Sequence, residues 1–418
     1  MVRKKGKLKT IDMFMKETQA EYLPSFTSTP NEIRLAVERN AISRGTLLVK
    51  VIMALDIEGI LKIVERLPKR TDYDQEDLYQ NASELGINPS ALNVLDRSDP
   101  PTPYAYYFST PNWLLENPDL ILYYRNVAMI SRKVMNGIGL KTDAYEDHLQ
   151  SPTEGSAREI SKYLNEVISG LVTTIDKVSP NMHIQMFLTN LGDALGGTAR
   201  NDVGRSASAL IVRYIALHMH IKGALKSIVY GIKEGTDTEE DENAQQNEGV
   251  YETGITQDLD LASLLENLER QRVKYKELHF HNGISLFLDR QIRWNSVSDR
   301  GEQISKKFGV DFHTTEDNSE SMRWAAELKG GADPAGSDEH WKTATEALNR
   351  IIEASKDTGR NAPELSFIAT IFVERVAKAA QKWIDEGKLQ SAYNLTKIQE
   401  NEDYRRSFLL DIERFLNY

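Results

Sequence analysis

The chain has 418 residues and a formal net charge of −11, with 40% hydrophobic residues, 27% charged residues and no cysteine. Its length allows two or three domains with sizeable cores, and its composition is that of an ordinary globular protein. The lack of cysteine excludes disulfides, thiolate nucleophiles and cysteine-ligated zinc, and the acidic balance argues against a protein that coats nucleic acid non-specifically. No apolar run reaches the roughly 20 residues of a membrane helix, and no apolar stretch follows the basic N-terminus. We therefore expect a cytoplasmic protein without a membrane partner.

Residues 1–98 are predicted to form an N-terminal helical region. Apolar residues recur at helical spacing between Arg34 and Arg66. The stretch from 75 to 97 resembles a helix-turn-helix, in which Gly86 lies at the turn and Pro89 opens the second helix. Such an element could contact DNA, although two packed helices without a DNA role would have the same pattern.

Residues 99–275 are predicted to be a mainly helical region that serves as a scaffold or in DNA recognition. Within it, the sequence from Gly192 to Arg205 is rich in glycine and contains two arginines, Arg200 and Arg205. Backbone amides and guanidinium groups in such a segment could bind DNA phosphates. A flexible connection between helices is the alternative interpretation.

Residues 276–418 alternate between helical and strand patterns. A helix is predicted over Ser298–Lys307. The segments 308–315 and 321–329 both alternate between apolar and polar residues, which is the two-residue period of a β-strand. Further along, the nearly continuous apolar run Leu365–Val373 predicts a buried central strand between two helices. The expected fold is α/β (α+β), with a mixed β-sheet flanked by helices and preceded by large helical regions.

The second of the two alternating strands places Glu327 and Lys329 side by side, on the face opposite its apolar residues. A Glu-x-Lys tripeptide is a weak signal by itself, since charged residues make up 27% of the chain. The same spacing occurs at Glu386-Gly387-Lys388, but that tripeptide follows a helical stretch and is typical of a helix C-terminus capped by glycine. Only the tripeptide at residue 327 lies on a strand pattern.

Asp311 is predicted to be the acidic partner of Glu327. It lies on the polar face of the preceding strand, and a polar run between the two strands predicts a turn. An antiparallel hairpin that places Asp311 directly opposite Glu327 is centred on Ser319, inside this run. Asp317 is closer along the chain but lies in the turn, and it is the second candidate for the first carboxylate.

Residues 327–340, Glu-Leu-Lys-Gly-Gly-Ala-Asp-Pro-Ala-Gly-Ser-Asp-Glu-His, resemble a run found in type II restriction endonucleases. Tyrosine-rich segments at 103–108 and 122–126 resemble the same enzymes, and the nearest likeness is to the XcyI type. The third region looks like the core of PD-(D/E)XK nucleases. Two departures are that Val310, instead of proline, precedes Asp311, and that the chain is longer than the plainest members. The extra length predicts an added recognition or oligomerisation element.

The resemblance implies that Asp311, Glu327 and Lys329 are the catalytic residues. The two carboxylates and the backbone carbonyl of Leu328 would hold Mg²⁺, a hard cation that prefers oxygen ligands. Lys329 would orient or help to deprotonate the attacking water and would offset negative charge in the transition state. Gly330 and Gly331 would let the backbone approach DNA closely. Accessory candidates, each with an ordinary surface or structural explanation, are Glu302, Asp317, Asp333 and His340.

The implied function is Mg²⁺-dependent, sequence-specific hydrolysis of double-stranded DNA. A homodimer is expected because palindromic sites pair with two-fold symmetric proteins, and a cognate DNA methyltransferase would be the functional partner. The alternatives are a repair or recombination nuclease without sequence specificity and a catalytically inactive DNA-binding protein of the same fold. The large helical regions favour specific readout, and the presence of both carboxylates and the lysine favours activity.

Overall fold

The computed structural model describes residues 23–70, 75–175, 178–233, 248–297, 303–316 and 321–418. The described residues group into two compact units. Residues 44–201 form the helical unit, and residues 23–43, 202–233 and 248–418 form the sheet unit, with the same gaps. The sheet unit is discontinuous in the sequence, whereas the three predicted regions are contiguous; the roles assigned to those regions stay predictions.

The helical unit is built around a core of buried aromatic and aliphatic side chains. A buried ion pair lies in this unit: the Arg125 guanidinium donates to both carboxylate oxygens of Glu146 at 2.7 and 2.8 Å. Helices α1 and α10 contribute residues to both units. The helices up to residue 221 are α1 Pro30–Ala54, α2 Ile57–Arg66, α3 Gln75–Gln80, α4 Pro89–Asp96, α5 Pro111–Glu116, α6 Asp119–Val127, α7 Arg132–Gly137, α8 Asp143–Glu146, α9 Glu154–Thr173 and α10 Met182–Ile221.

Helices α3 and α4 form the two helices and turn that the sequence predicts. Gly86 in the turn has a φ of +74°, and a Cβ there would lie 2.5 Å from the Lys162 carbonyl oxygen of α9. Pro89 opens α4, and the Asn88 side chain caps that helix by accepting from the Ser90 N–H at 2.9 Å. The local arrangement is therefore as predicted, and its contact with DNA stays a prediction.

The sheet unit contains an eight-stranded mixed sheet in the order β2-β1-β3-β4-β5-β6-β7-β8. Strands β6, β7 and β8 are parallel, and the other neighbours are antiparallel. The strands are β1 Leu225–Lys233, β2 Glu248–Gly254, β3 Lys274–Phe280, β4 Ile284–Val297, β5 Gln303–Glu316, β6 Met322–Lys329, β7 Glu364–Ala369 and β8 Ser391–Asn394. The remaining helices are α11 Leu261–Arg270, α12 Ser337–Thr358, α13 Glu374–Asp385, α14 Leu395–Glu400 and α15 Glu402–Phe415.

Helices cover both faces of the central strands, so the predicted mixed sheet with flanking helices is confirmed. On one face, Trp324 of β6 packs in a cluster with residues of α10 and α15. On the other face, Ala325 of β6 packs in a cluster with residues of α12 and α13. Strand β7 is buried along most of its length, as the apolar run predicts. No helix in the described ranges is long and apolar enough to cross a membrane.

The stretch 99–275, predicted to be mainly helical, also contains strands β1 and β2. One prediction about a strand was wrong. Gln303–Lys307, the described part of the predicted helix Ser298–Lys307, instead begins β5 and pairs with β4, with Lys306 opposite Trp294. The exposure of side chains along this segment alternates with period two, so the strand pattern already begins before Phe308.

The glycine-rich segment from Gly192 to Arg205 is also not a loop, because it lies wholly inside the 40-residue helix α10. Each glycine costs a helix roughly 1 kcal/mol relative to alanine, but a long helix that is packed along its length can offset that cost. A Cβ on Gly204 would meet no atom within 4 Å; the close approach at this point is made by Gly330, whose Cβ would lie 3.1 Å from the Gly204 Cα. Neither a flexible connection nor a phosphate-binding loop is present there.

Candidate active site

Strands β5 and β6 bring Asp311 and Glu327 together. Phe312 pairs with Ala326 and His313 pairs with Ala325 in antiparallel register, and the same register places Asp311 opposite Glu327. This is the hairpin centred on residue 319 that the sequence predicts. A carboxylate oxygen of Asp311, Oδ2, accepts from the Leu328 backbone N–H at 2.7 Å, which fixes the side chain against β6.

Lys329 completes a group of three side chains at the end of β6. Its Nζ donates to Oε1 of Glu327 at 2.7 Å. The strand end is held by β7 and the residue that follows it: the Thr370 N–H donates to the Lys329 carbonyl at 3.0 Å, and the Thr370 hydroxyl donates to the Gly330 carbonyl at 2.7 Å. The parallel neighbour strand therefore keeps the lysine beside the carboxylates.

The two carboxylates lie in a buried, negatively charged environment. Burial raises the pKa of Asp311 above its ordinary value, and the charge of Glu327 raises it further. Burial also raises the pKa of Glu327, against the opposing effect of Lys329. One lysine does not neutralise two carboxylates, so the arrangement favours an additional cation.

The face of β6 that carries Glu327 is more buried than the sequence suggests. The strand pattern predicts a polar face, yet Ala325 is fully buried and Glu327 is 9% exposed. The reason is that helix α12 covers this face of the sheet through Ala344 and Leu348. The carboxylates thus lie at the edge of a core instead of on an open hairpin.

Both glycines after Lys329 are explained by contacts within the protein. A Cβ on Gly330 would lie 2.9 Å from the Val203 carbonyl oxygen and 3.1 Å from the Gly204 Cα of helix α10. A Cβ on Gly331 would lie 2.5 Å from Cε1 of His340. Packing against backbone atoms therefore requires a small residue at position 330, whereas a side chain at position 331 would displace the His340 ring. The close approach of both glycines to DNA stays a prediction.

The loop after β6 places His340 beside the site and uses Asp333 for its turn. Asp333 is exposed; its Oδ1 accepts from the Ala335 N–H at 3.0 Å and its carbonyl accepts from the Ser337 hydroxyl at 3.1 Å. His340 is half-buried, and burial together with the charge of Lys329 lowers the pKa of its imidazole. At neutral pH the imidazole is therefore neutral.

The other predicted residues lie elsewhere or outside the described ranges. Glu302 and Asp317 are in the segments that the structure does not describe. The residues that follow Glu302, from Gln303 onward, belong to β5 and not to the predicted helix. Arg200 is exposed on α10. Arg205, also on α10, forms an ion pair with Asp202.

Sequence reasoning missed Arg350 of helix α12. Burial raises the pKa of Glu327, and Lys329 lowers it. The positive charge of Arg350 lowers it further, by less than Lys329 does. No local signal marks this residue, since it is 23 positions beyond Glu327 in the sequence and reaches the site only through the packing of α12 on the sheet.

The site provides hard oxygen donors for a divalent cation. Within the described ranges no group of three or more histidine, cysteine, aspartate or glutamate side chains converges, so Asp311 and Glu327 are a pair of carboxylate donors. Such a pair suits Mg²⁺, which keeps several water ligands and commonly combines one or two carboxylates with phosphate oxygens of the substrate. Burial raises the pKa of both carboxyls, and a bound cation would favour their ionised forms.

Comparison with known proteins gives matches to restriction enzymes. A family model described as restriction endonuclease BsobI matches residues 310–404, which contain Asp311, Glu327 and Lys329. The chain is 42% identical over 74 residues to the type II restriction enzyme BsoBI of Geobacillus stearothermophilus, a match that covers 18% of this chain and 23% of that enzyme. It is 28% identical over 295 residues to the type II restriction enzyme AvaI of Nostoc sp. and of Anabaena variabilis, covering 68% of this chain and 79% of each relative.

The chain is similar to the type II restriction enzymes BsoBI and AvaI, and together with the fold these matches indicate a site-specific endonuclease of the type II restriction class. The finer resemblance to the XcyI type stays a prediction.

Proposed function

We propose that this enzyme hydrolyses phosphodiester bonds of double-stranded DNA at a specific sequence, with Asp311, Glu327 and Lys329 as its catalytic residues and Mg²⁺ as its metal. The observation that carries the proposal is the hairpin register that sets Asp311 opposite Glu327, with the Lys329 ammonium 2.7 Å from the Glu327 carboxylate. Carboxylates and a lysine at one strand end are the groups that metal-assisted hydrolysis of a phosphodiester needs.

Asp311, Glu327 and the backbone carbonyl of Leu328 would hold the metal, which when bound polarises the scissile phosphate and lowers the pKa of a water molecule. The Leu328 N–H fixes one oxygen of Asp311. Lys329 fixes one oxygen of Glu327 and carries the positive charge that offsets charge developing on the phosphate. Because β7 holds the end of β6, these groups are oriented before DNA binds.

Sequence-specific cleavage is favoured over the two alternatives. The similar proteins are named as type II restriction enzymes, which supports specific cutting over a repair or recombination nuclease. Both carboxylates and the lysine are present and in contact, which supports activity over an inactive DNA-binding protein. A homodimer on a palindromic site and a cognate DNA methyltransferase in the same cell belong to this proposal.

Digestion of one plasmid of known sequence, with the fragment ends mapped, tests the proposal. We expect a fixed set of fragments whose ends all share one short sequence. The Glu327→Gln variant, purified in the same way, controls for contaminating nucleases and should leave the plasmid intact. Random fragment ends would contradict site-specific cleavage, and tight DNA binding without any cleavage would contradict the enzymatic assignment.

A further inference from the structure

Helix α12 is fixed beside the proposed active site by contacts near both of its ends. Near its start, the His340 ring occupies the space next to Gly331. Near its end, Asp357 forms an ion pair with Lys306 of β5 at 2.6 Å. Residues seven apart are two turns apart and lie on the same edge of a helix, so Arg350 lies on the edge of α12 that carries Asp357, whose partner is on β5. That strand also carries Asp311.

Arg350 is an exposed cation of helix α12. It forms no hydrogen bond or ion pair with any residue in the part of the chain that the structure describes. It lies on the helix that covers the face of the sheet carrying Glu327, and its charge, after that of Lys329, opposes the rise that burial causes in the pKa of Glu327. Lys329 differs from Arg350 because its ammonium is already bound to that carboxylate.

The charges of the site indicate what Arg350 binds. A bound divalent cation balances the two carboxylates, so Lys329 and Arg350 remain as the positive charges that can face an anion. A DNA phosphate is the anion that this reaction brings to the site. The planar guanidinium of arginine donates up to five hydrogen bonds and binds phosphate oxygens in a bidentate manner, which gives orientation as well as charge.

We propose that Arg350 binds a phosphate of the cleaved DNA strand next to the scissile bond and thereby positions that strand against the catalytic carboxylates. The inference rests on the catalytic roles proposed above for Asp311, Glu327 and Lys329. It makes Arg350 a positioning residue, whose contribution has two separable parts. Its charge adds to binding, and its bidentate geometry adds to the rate of cleavage from the bound state.

The test compares Arg350→Ala with Arg406→Ala. Arg406 is an exposed arginine of α15, a helix that packs against the opposite face of the sheet, so it controls for the loss of one positive charge. DNA binding is measured in Mg²⁺ over a range of salt concentrations, with each substitution made in a Lys329→Ala background to prevent cleavage. Loss of a phosphate contact lowers the slope of log K against log salt by about 0.9 for each contact.

We expect Arg350→Ala to show this smaller slope and Arg406→Ala to keep the slope of its parent. In the active enzyme, Arg350→Ala is expected to lower the cleavage rate at saturating DNA by about 10²-fold, since misplaced substrate costs about that much. Arg350→Lys should restore the slope but not the rate. An unchanged slope would overturn the inference. Cleavage by the Lys329→Ala parent itself would instead overturn the catalytic assignment, so the two failures are distinguishable.

Discussion

Replacing Lys329 by alanine is expected to lower the DNA cleavage rate by about 10³-fold, while the Kd for DNA stays nearly unchanged. Removing one group that stabilises developing charge in a buried site costs a reaction about 10²–10³-fold, and Lys329 would also orient the attacking water. Binding persists because most of the affinity of a protein for DNA comes from many phosphate contacts. Single-turnover cleavage and equilibrium binding, measured on the same DNA fragment, give the two quantities.

The matched control for this prediction is Lys388→Ala. Lys388 lies in the second Glu-x-Lys tripeptide, and its Nζ is 2.8 Å from Oε2 of Glu386. That tripeptide follows helix α13, and Gly387 has a φ of +68°, as expected for a helix C-terminus. The Lys388→Ala variant should therefore cleave at the wild-type rate. Wild-type cleavage by Lys329→Ala would remove Lys329 from the mechanism.

Replacing Asp311 by asparagine is expected to abolish cleavage and to raise the melting temperature of the metal-free protein. Burial and the Glu327 charge both raise the pKa of Asp311, so its ionised form destabilises the folded protein. Asparagine removes that charge, and its carbonyl oxygen can still accept from the Leu328 N–H. A gain of about 1 kcal/mol corresponds to a rise of roughly 2–4 °C in a domain of 150–250 residues. Calorimetry in the presence of EDTA measures this rise in the melting temperature.

Two further variants complete the Asp311 prediction. Asp385→Asn changes an exposed aspartate at the end of α13 and should alter neither cleavage nor the melting temperature. Asp317→Asn tests the competing candidate for the first carboxylate. If Asp317→Asn abolishes cleavage and Asp311→Asn leaves it intact, the roles of these two residues in the proposal are reversed.

The hairpin at the site could be predicted from the sequence because its determinants are local. The alternation of apolar and polar residues fixes which side chains of β5 and β6 share a face, and the polar run between the strands fixes the register. The structure has this register at Phe312 and Ala326. The helix C-terminus at Gly387 was predictable for the same reason, since glycine at a cap is a local signal.

The features that sequence reasoning missed depend on packing between distant segments. Gly330 and Gly331 pack closely against α10 and His340, contacts that the sequence does not indicate. Arg350 reaches the site only because α12 packs on the face of the sheet that carries Glu327. The glycine-rich part of α10 has low intrinsic helix propensity, so its sequence predicts a loop. It is helical in the structure because it belongs to a long helix that is stabilised by packing.

Whether DNA cleavage requires a divalent metal is the decisive question for this site, because the two buried carboxylates have a catalytic role only if they hold such a cation. Plasmid cleavage by the wild-type enzyme is measured in EDTA and again after Mg²⁺ is added in excess. We expect no cleavage in EDTA and full recovery of site-specific cleavage with Mg²⁺. Undiminished cleavage in EDTA would contradict a metal-dependent site at Asp311, Glu327 and Lys329.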